Sequence, residues 1–132
     1  MDQMDRIEQW VPFAEGDYIV VRGILVSPEG QAVEMEKPTI QVFADSRGLR
    51  SVHGSGMIRP AALVELHETE ETVDLLLDLG NDFIYAMERP TLKSGKVFAP
   101  DVRALLQFSP TRPWTSMTGD AFENRVGTLR FL

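Results

Sequence analysis

Proton-transfer chemistry in this chain rests on two histidines, His53 and His67, since no others are present. A neutral imidazole is the side chain best suited to take a proton near neutral pH, so each is a candidate general base. His53 lies in the run Val52-His53-Gly54-Ser55-Gly56, where a base and a hydroxyl sit two residues apart among glycines. Such a run invites a hydrolase nucleophile or a phosphate cradle. The spacing supports neither: Ser55 has His53 and Met57 two positions away instead of glycines, and the Lys of a phosphate-binding loop is missing. The run reads as a flexible turn with an incidental His. Glu65, His67 and Asp74 offer hard ligands of the kind that hold Ca²⁺ or Mg²⁺, but nothing in their spacing is diagnostic. The chain has no Cys, which excludes disulfides, thiolate metal sites and cysteine nucleophiles. Paired-histidine zinc motifs, a His-x-His pair and EF-hand spacing are also absent. No catalytic residue, metal or cofactor is assigned, and a non-enzymatic role is expected.

Charge carries the stronger signal. Between residues 60 and 88 stand Glu65, Glu68, Glu70, Glu71, Asp74, Asp78, Asp82 and Glu88, with no Lys or Arg among them. The net charge is −7, so the rest of the chain is nearly neutral. The remaining charge is blocky too: residues 1–36 are acidic, 37–59 and 89–112 basic, and 113–132 balanced. Acidic and basic strands lying side by side would neutralise one another. Alternatively, complementary patches mate between subunits or with a partner. An acidic stretch of this kind is solvated, paired within the chain, or offered to a basic partner.

Those residues need a scaffold, and the pattern is mostly strand. The 132 residues suffice for one domain that buries roughly two thirds of its unfolded surface. Met4, Ile7, Trp10 and Val11 recur at helical spacing, predicting a short N-terminal helix over 1–12 that Pro12 stops. Residues 18–26 read as a strongly apolar strand, and Ser27-Pro28-Glu29-Gly30 as a turn. A return strand is expected over 31–36 and another over 39–44, with 45–60 loop-like. Gly80-Asn81 signals a two-residue hairpin, pairing Leu77 with Ile84 and Leu75 with Ala86. Residues 61–67 can add a third strand, whose parity agrees with this meander. Downstream, Lys93 and Lys96 mark a basic loop tip and Val97–Phe98 a short strand. Residues 101–108 alternate as a strand, although a helix from Pro100 is the alternative. Residues 109–119 form a Pro/Trp arm, Asp120–Glu123 suit one helical turn, and 125–132 form a closing strand.

This register predicts a core face of Val73, Leu75, Leu77, Ile84 and Ala86. The opposite face carries Glu65, Asp74, Leu76, Asp78, Phe83, Tyr85 and Met87, an acidic and aromatic mixture that a merely solvated face seldom shows. It is either covered by the chain's own helix or by a partner, and we take these seven as candidate partner-binding residues. Arg112, Pro113 and Trp114 form a possible second contact arm.

The expected fold is mainly β: one domain forming a small antiparallel barrel or sandwich of about six to seven strands, with its β core over 18–108. The leading function is protein–protein interaction, as a structural component of a larger assembly such as a phage-like or secretion-machine particle. The partner is a second copy of the chain or a basic protein. An acidic inhibitor or immunity-type protein capping a basic target is the alternative. Third is an OB-like oligonucleotide- or ligand-binding barrel, which the pI near 4.8 opposes for nucleic acid. The acidic N-terminus lacks the apolar core of a signal peptide, and no apolar run approaches the ~20 residues of a membrane helix. A cytoplasmic or virion-associated, particle-borne setting follows.

Overall fold

A computed structural model describes residues 13–59, 61–62, 72–94 and 104–132. Its first feature follows from the Ser27–Gly30 turn, which Gly30 N–H closes by donating to Ser27 O at 3.0 Å. The turn folds β2 (Arg22–Val26) back on β3 (Gln31–Ala44), and all further strands build outward from this hairpin. They are β1 (Gly16–Ile19), β4 (Arg50–Ile58), β5 (Asp74–Asp78), β6 (Ile84–Met87), β7 (Thr91–Ser94), β8 (Ala104–Ser109), β9 (Thr115–Met117) and β10 (Arg130–Phe131). Helix α1 (Gly119–Gly127) precedes β10. The fold is mainly β, a curled antiparallel half-barrel with strand order β7-β8-β4-β3-β2-β5-β6-β9. Both β1 and β10 also pair with β3, the latter in parallel.

One long strand replaces the two expected over 31–36 and 39–44. It survives Pro38 because a bulge falls there: Glu36 faces Met57 but Thr39 faces Ser55, so three steps on β3 match two on β4. Lys37 takes the left-handed conformation at φ 51°. The bulge bends the strand, and its two halves enter two differently oriented sheets. The first half, with β2, β5, β6 and β9, makes one sheet, and the second half, with β1, β4, β8 and β7, the other.

The glycine-rich stretch 45–60 is a strand over most of its length, not a loop. Only residues 45–49 turn, held by Asp45, whose Oδ1 accepts from Arg47 N–H at 2.8 Å and Leu49 N–H at 2.9 Å. These bonds, Leu49's first, pull the Asp45 carboxyl below its ordinary pKa. Beyond them, glycine is required by the neighbours. Gly54 faces Phe108 across the β4–β8 ladder, and a Cβ on it would lie 2.1 Å from that ring. A Cβ on Gly56 would meet Met35 Sδ at 3.0 Å, and one on Gly23 the Met35 methyl at 2.9 Å. Large side chains from adjacent strands occupy the volume that Gly54 and Gly56 leave.

The hairpin register is offset by one residue. Leu75 faces Met87, Leu76 faces Ala86 and Leu77 faces Tyr85, because the loop is three residues long. Leu79 N–H donates to Phe83 O at 2.9 Å across Gly80, Asn81 and Asp82, all at positive φ. Glycine, Asn and Asp tolerate that region better than other residues. A one-residue slip exchanges faces, so Tyr85 and Met87 join Leu75 and Leu77, whereas Ile84 and Ala86 join Leu76. The other edge of β5 is held by β2, with Gly23 facing Leu77, so the third meander strand expected at 61–67 is not β5's neighbour. Ala61 and Ala62 are helical, and 63–67 lie outside the described residues.

Two buried clusters result. Leu25, Val33, Met35, Ile40, Val52, Leu75, Leu77, Met87, Leu106 and Phe108 fill the concave interior. On the other side, Ile24, Val26, Ala32, Leu76, Ile84 and Ala86 pack under Phe122 of α1. The chain covers this face itself, with a C-terminal helix. The N-terminal helix expected over 1–12 lies outside the described residues, as do Val97–Phe98 and Lys96. The closing strand expected over 125–132 is instead the end of α1 followed by two strand residues. Thr118 caps the helix, its hydroxyl accepting from Ala121 N–H at 3.1 Å, and Phe122, Val126 and Leu129 recur on one face. Residues 104–109 are strand, with Leu106 and Phe108 buried and Leu105 and Gln107 exposed, which excludes the helical alternative there. The expected 109–119 arm contributes β9, bonded to β6.

Adding one methyl at Gly54 forces the Phe108 ring from its place. We expect Gly54→Ala to lower unfolding free energy by about 2 kcal/mol, and Phe108→Leu in the same chain to restore part of that loss. Urea unfolding checks this; an unchanged midpoint in Gly54→Ala would contradict the packing.

Candidate functional site

The seven candidate partner-binding residues do not form one surface. Leu76 and Met87 are fully buried, on opposite faces of the sheet. Asp74 and Asp78, at the two ends of β5, are half-buried and bind backbone: Asp74 Oδ1 accepts from Arg89 N–H at 3.0 Å, and Asp78 Oδ1 from Gly80 N–H at 2.8 Å. Both carboxylates organise the turns that bound the hairpin. Glu65 lies outside the described residues. Phe83 is the member held out into solvent, 54% exposed at the hairpin tip.

Tyr85 joins the second predicted group. Its ring lies 5.7 Å from that of Trp114 and 5.3 Å from Phe13, and Phe13 in turn lies 5.2 Å from Tyr18. Edge-on contacts of this kind add to the burial of each ring. The four residues come from separate segments and sit where the edge of one sheet approaches the other. Arg50 Nη1 donates to Phe13 O at 2.7 Å, fixing the chain that enters β1. Trp114 Nε1 is buried there with no acceptor among the described residues. Arg112 and Pro113 are exposed, and Arg112 Nη1 stands 3.6 Å from Glu88 Oε2.

Sequence reasoning missed the most exposed apolar residues. Ile19 is 82% and Val21 61% exposed, although they belong to the strand taken as wholly apolar. That strand breaks at Val20–Val21. Along its length β3 holds one edge, whereas β5 holds the other only from Arg22 onward, with Val21 N–H donating to Asp78 O at 2.7 Å. Beyond that point β5 has turned into the 79–83 loop. β1 therefore pairs on one edge alone among the described residues. Alternation sends Tyr18 and Val20 inward, and Glu15, Asp17, Ile19 and Val21 outward. Val21 also reaches the hairpin, its Cγ2 lying 3.4 Å from the place a Cβ would take on Gly80. The sequence signal was weak: four successive large apolar residues give no polar marker of which parity faces water.

The histidine run has a different setting from a loop. His53 projects from β4 onto the outer face of its sheet, 5.8 Å from the Phe43 ring. With Thr91, Lys93, Gln107 and Ser109 it lines a shallow groove of about 260 Å³. Among the described residues no three His, Asp or Glu side chains group to hold a metal, and no helix is long and apolar enough to cross a membrane. The chain matches no family pattern, no curated protein and no solved structure.

Next to this edge lies a bidentate ion pair. Arg22 Nε and Nη2 donate to Glu34 Oε2 at 2.8 Å and Oε1 at 2.9 Å across β2 and β3. These hydrogen bonds lower the Glu34 pKa and raise that of Arg22. A depressed carboxylate contributes stability that is present above its unfolded value and is lost as pH falls through the folded one. Both side chains reach water, so the pair is worth about 0.5 kcal/mol. Glu34→Gln should therefore cost about that much near neutral pH and less at about pH 3. Urea unfolding at the two pH values tests it; equal losses at both would show that the charge of Glu34 is not the source.

Proposed function

We propose that this chain is a non-enzymatic interaction module, a structural component that joins a larger assembly through the open edge of its half-barrel. The observation that carries this reading is the placement of Ile19, with Val21 and Phe83 at its end, in water beside β1, which among the described residues pairs on one edge alone. Exposed strand edges are templates for further pairing, and folded proteins normally blunt them with charge, proline or a bulge. Here two of the most exposed positions along the edge are β-branched and apolar. Adding a strand to such an edge is a common mode of recognition, in which backbone bonds supply affinity and alternate side chains supply selectivity. The setting we propose is cytoplasmic or particle-borne.

Photo-crosslinking in the native host tests this. Benzoyl-phenylalanine placed at position 19 should yield discrete protein adducts, whereas the same group at Ser51, exposed on the far part of the sheet, should not. Val21→Lys should suppress the adducts while changing stability by less than about 0.5 kcal/mol, because that side chain already faces water. Equal adducts at both positions, or none at either, would overturn the proposal.

A further inference from the structure

We infer that the occupant of the β1 edge is an extended segment of a different polypeptide, basic at one end and apolar at the other. The inference rests on the proposed docking role and adds the chemistry of the partner. It starts from the order of outward side chains at and around β1, whose second edge is unpaired among the described residues: Glu15 before the strand, Asp17 and Ile19 within it, and Val21 after it. Two exposed carboxylates are followed by two exposed aliphatic groups, and within β1 Asp17 and Ile19 share one face, since strand side chains alternate. A strand paired to this edge places its own alternate side chains beside that row, about 5 Å away. The row therefore asks for cations opposite Glu15 and Asp17 and an apolar group opposite Ile19, and the added strand ends against Val21 and Phe83, since Val21 N–H already bonds Asp78 O.

The strands on the other side do not supply those cations. On β3, Thr39 faces Ile19 and Gln41 faces Asp17, and Ser55 and His53 follow on β4. Asp17 thus has no Lys or Arg beside it in its row of the sheet. At the apolar end, Phe83 extends the surface beyond Val21, since its N–H bonds Gly80 O at 3.0 Å in the loop against which Val21 rests.

The same arrangement disfavours a second copy of this chain. Two β1 edges related by a two-fold axis run antiparallel, which, with β1 overlapped on β1, sets Asp17 of one copy beside Ile19 of the other and gives neither its complement. A net charge of −7 on each copy adds long-range repulsion. A basic segment reverses both terms.

The probes are two synthetic peptides, Lys-Thr-Lys-Thr-Val-Thr-Val and its reversed sequence, which cover parallel and antiparallel addition. A third and fourth carry Glu in place of Lys. Fluorescence anisotropy with the full chain should show one Lys peptide binding about tenfold more tightly than its Glu counterpart, with the preference falling as salt rises. Asp17→Lys should reverse the preference, and amides of residues 16–19 should gain exchange protection only with the bound peptide. Failure of both Lys peptides to bind, or a preference unchanged by Asp17→Lys, would overturn the inference. Light scattering separates this from the docking reading itself. A wild-type oligomer dispersed by Ile19→Lys would keep the edge as an interface while assigning it to a second copy, and would sink the basic partner.

Discussion

Strand β3 belongs to two sheets, and the rest of the molecule depends on how it turns at Lys37 and Pro38. Proline cannot donate to a ladder, and in a strand it is confined to edges and bulges. Here it sits in a bulge, and Val20 N–H bonds Pro38 O at 3.1 Å so that the carbonyl is still used. The bend crowds the concave side. Met35 lies between Gly23 and Gly56, with Pro38 against both positions, so the two glycines remove the atoms that would otherwise collide. The bulge thereby sets the angle between the sheets. That angle in turn creates an interior deep enough for Phe108, and it carries β1 away from β5.

Charge within the fold is spent locally. Arg22 of β2 forks onto Glu34 of β3, so one guanidinium neutralises the acid of the neighbouring strand. Glu88 of the acidic stretch meets Arg112 of the basic one. Asp74 and Asp78 bind backbone amides instead of cations, which orders turns without any partner. The described part of the acidic stretch is thus largely a device for ending strands. Outward acids with no cation across the ladder, such as Asp17, occur at the free edge instead.

How much of this was legible in the sequence depended on whether a residue's role was set by its own segment or by another. The Ser27–Gly30 turn and the alternation at 104–108 are local and were readable. The β4 glycines were not, because Gly54 is required by Phe108, which is far along the chain. The hairpin register failed for a subtler reason: Gly80, Asn81 and Asp82 all tolerate positive φ, so two- and three-residue loops were equally compatible with the sequence. That slip moved Tyr85 and Met87 to the inner face and hid Leu76 under α1. It dissolved the acidic-aromatic surface as a unit, leaving Phe83 exposed. Tyr85 and Trp114 were singled out as members of two separate contact surfaces, and no pattern revealed that they would meet each other and Phe13.

That β1 pairs on one edge alone among the described residues follows from the same geometry. β5 ends at Asp78 because Leu79 and Phe83 then close the three-residue loop that reverses the chain. β1 continues past that point because β3 continues to hold its other side. An edge of this kind is left by topology, not by accident of side chains, and it persists whatever residues occupy it. What the sequence then chose to put there is informative: Ile19 and Val21 where a Lys would discourage pairing, and acids only toward the far end. Sheet edges selected only for solubility carry charge along their length. On the docking reading proposed above, a half-charged, half-apolar edge would confine pairing to strands of matching order, which is a specificity device as well as an attraction.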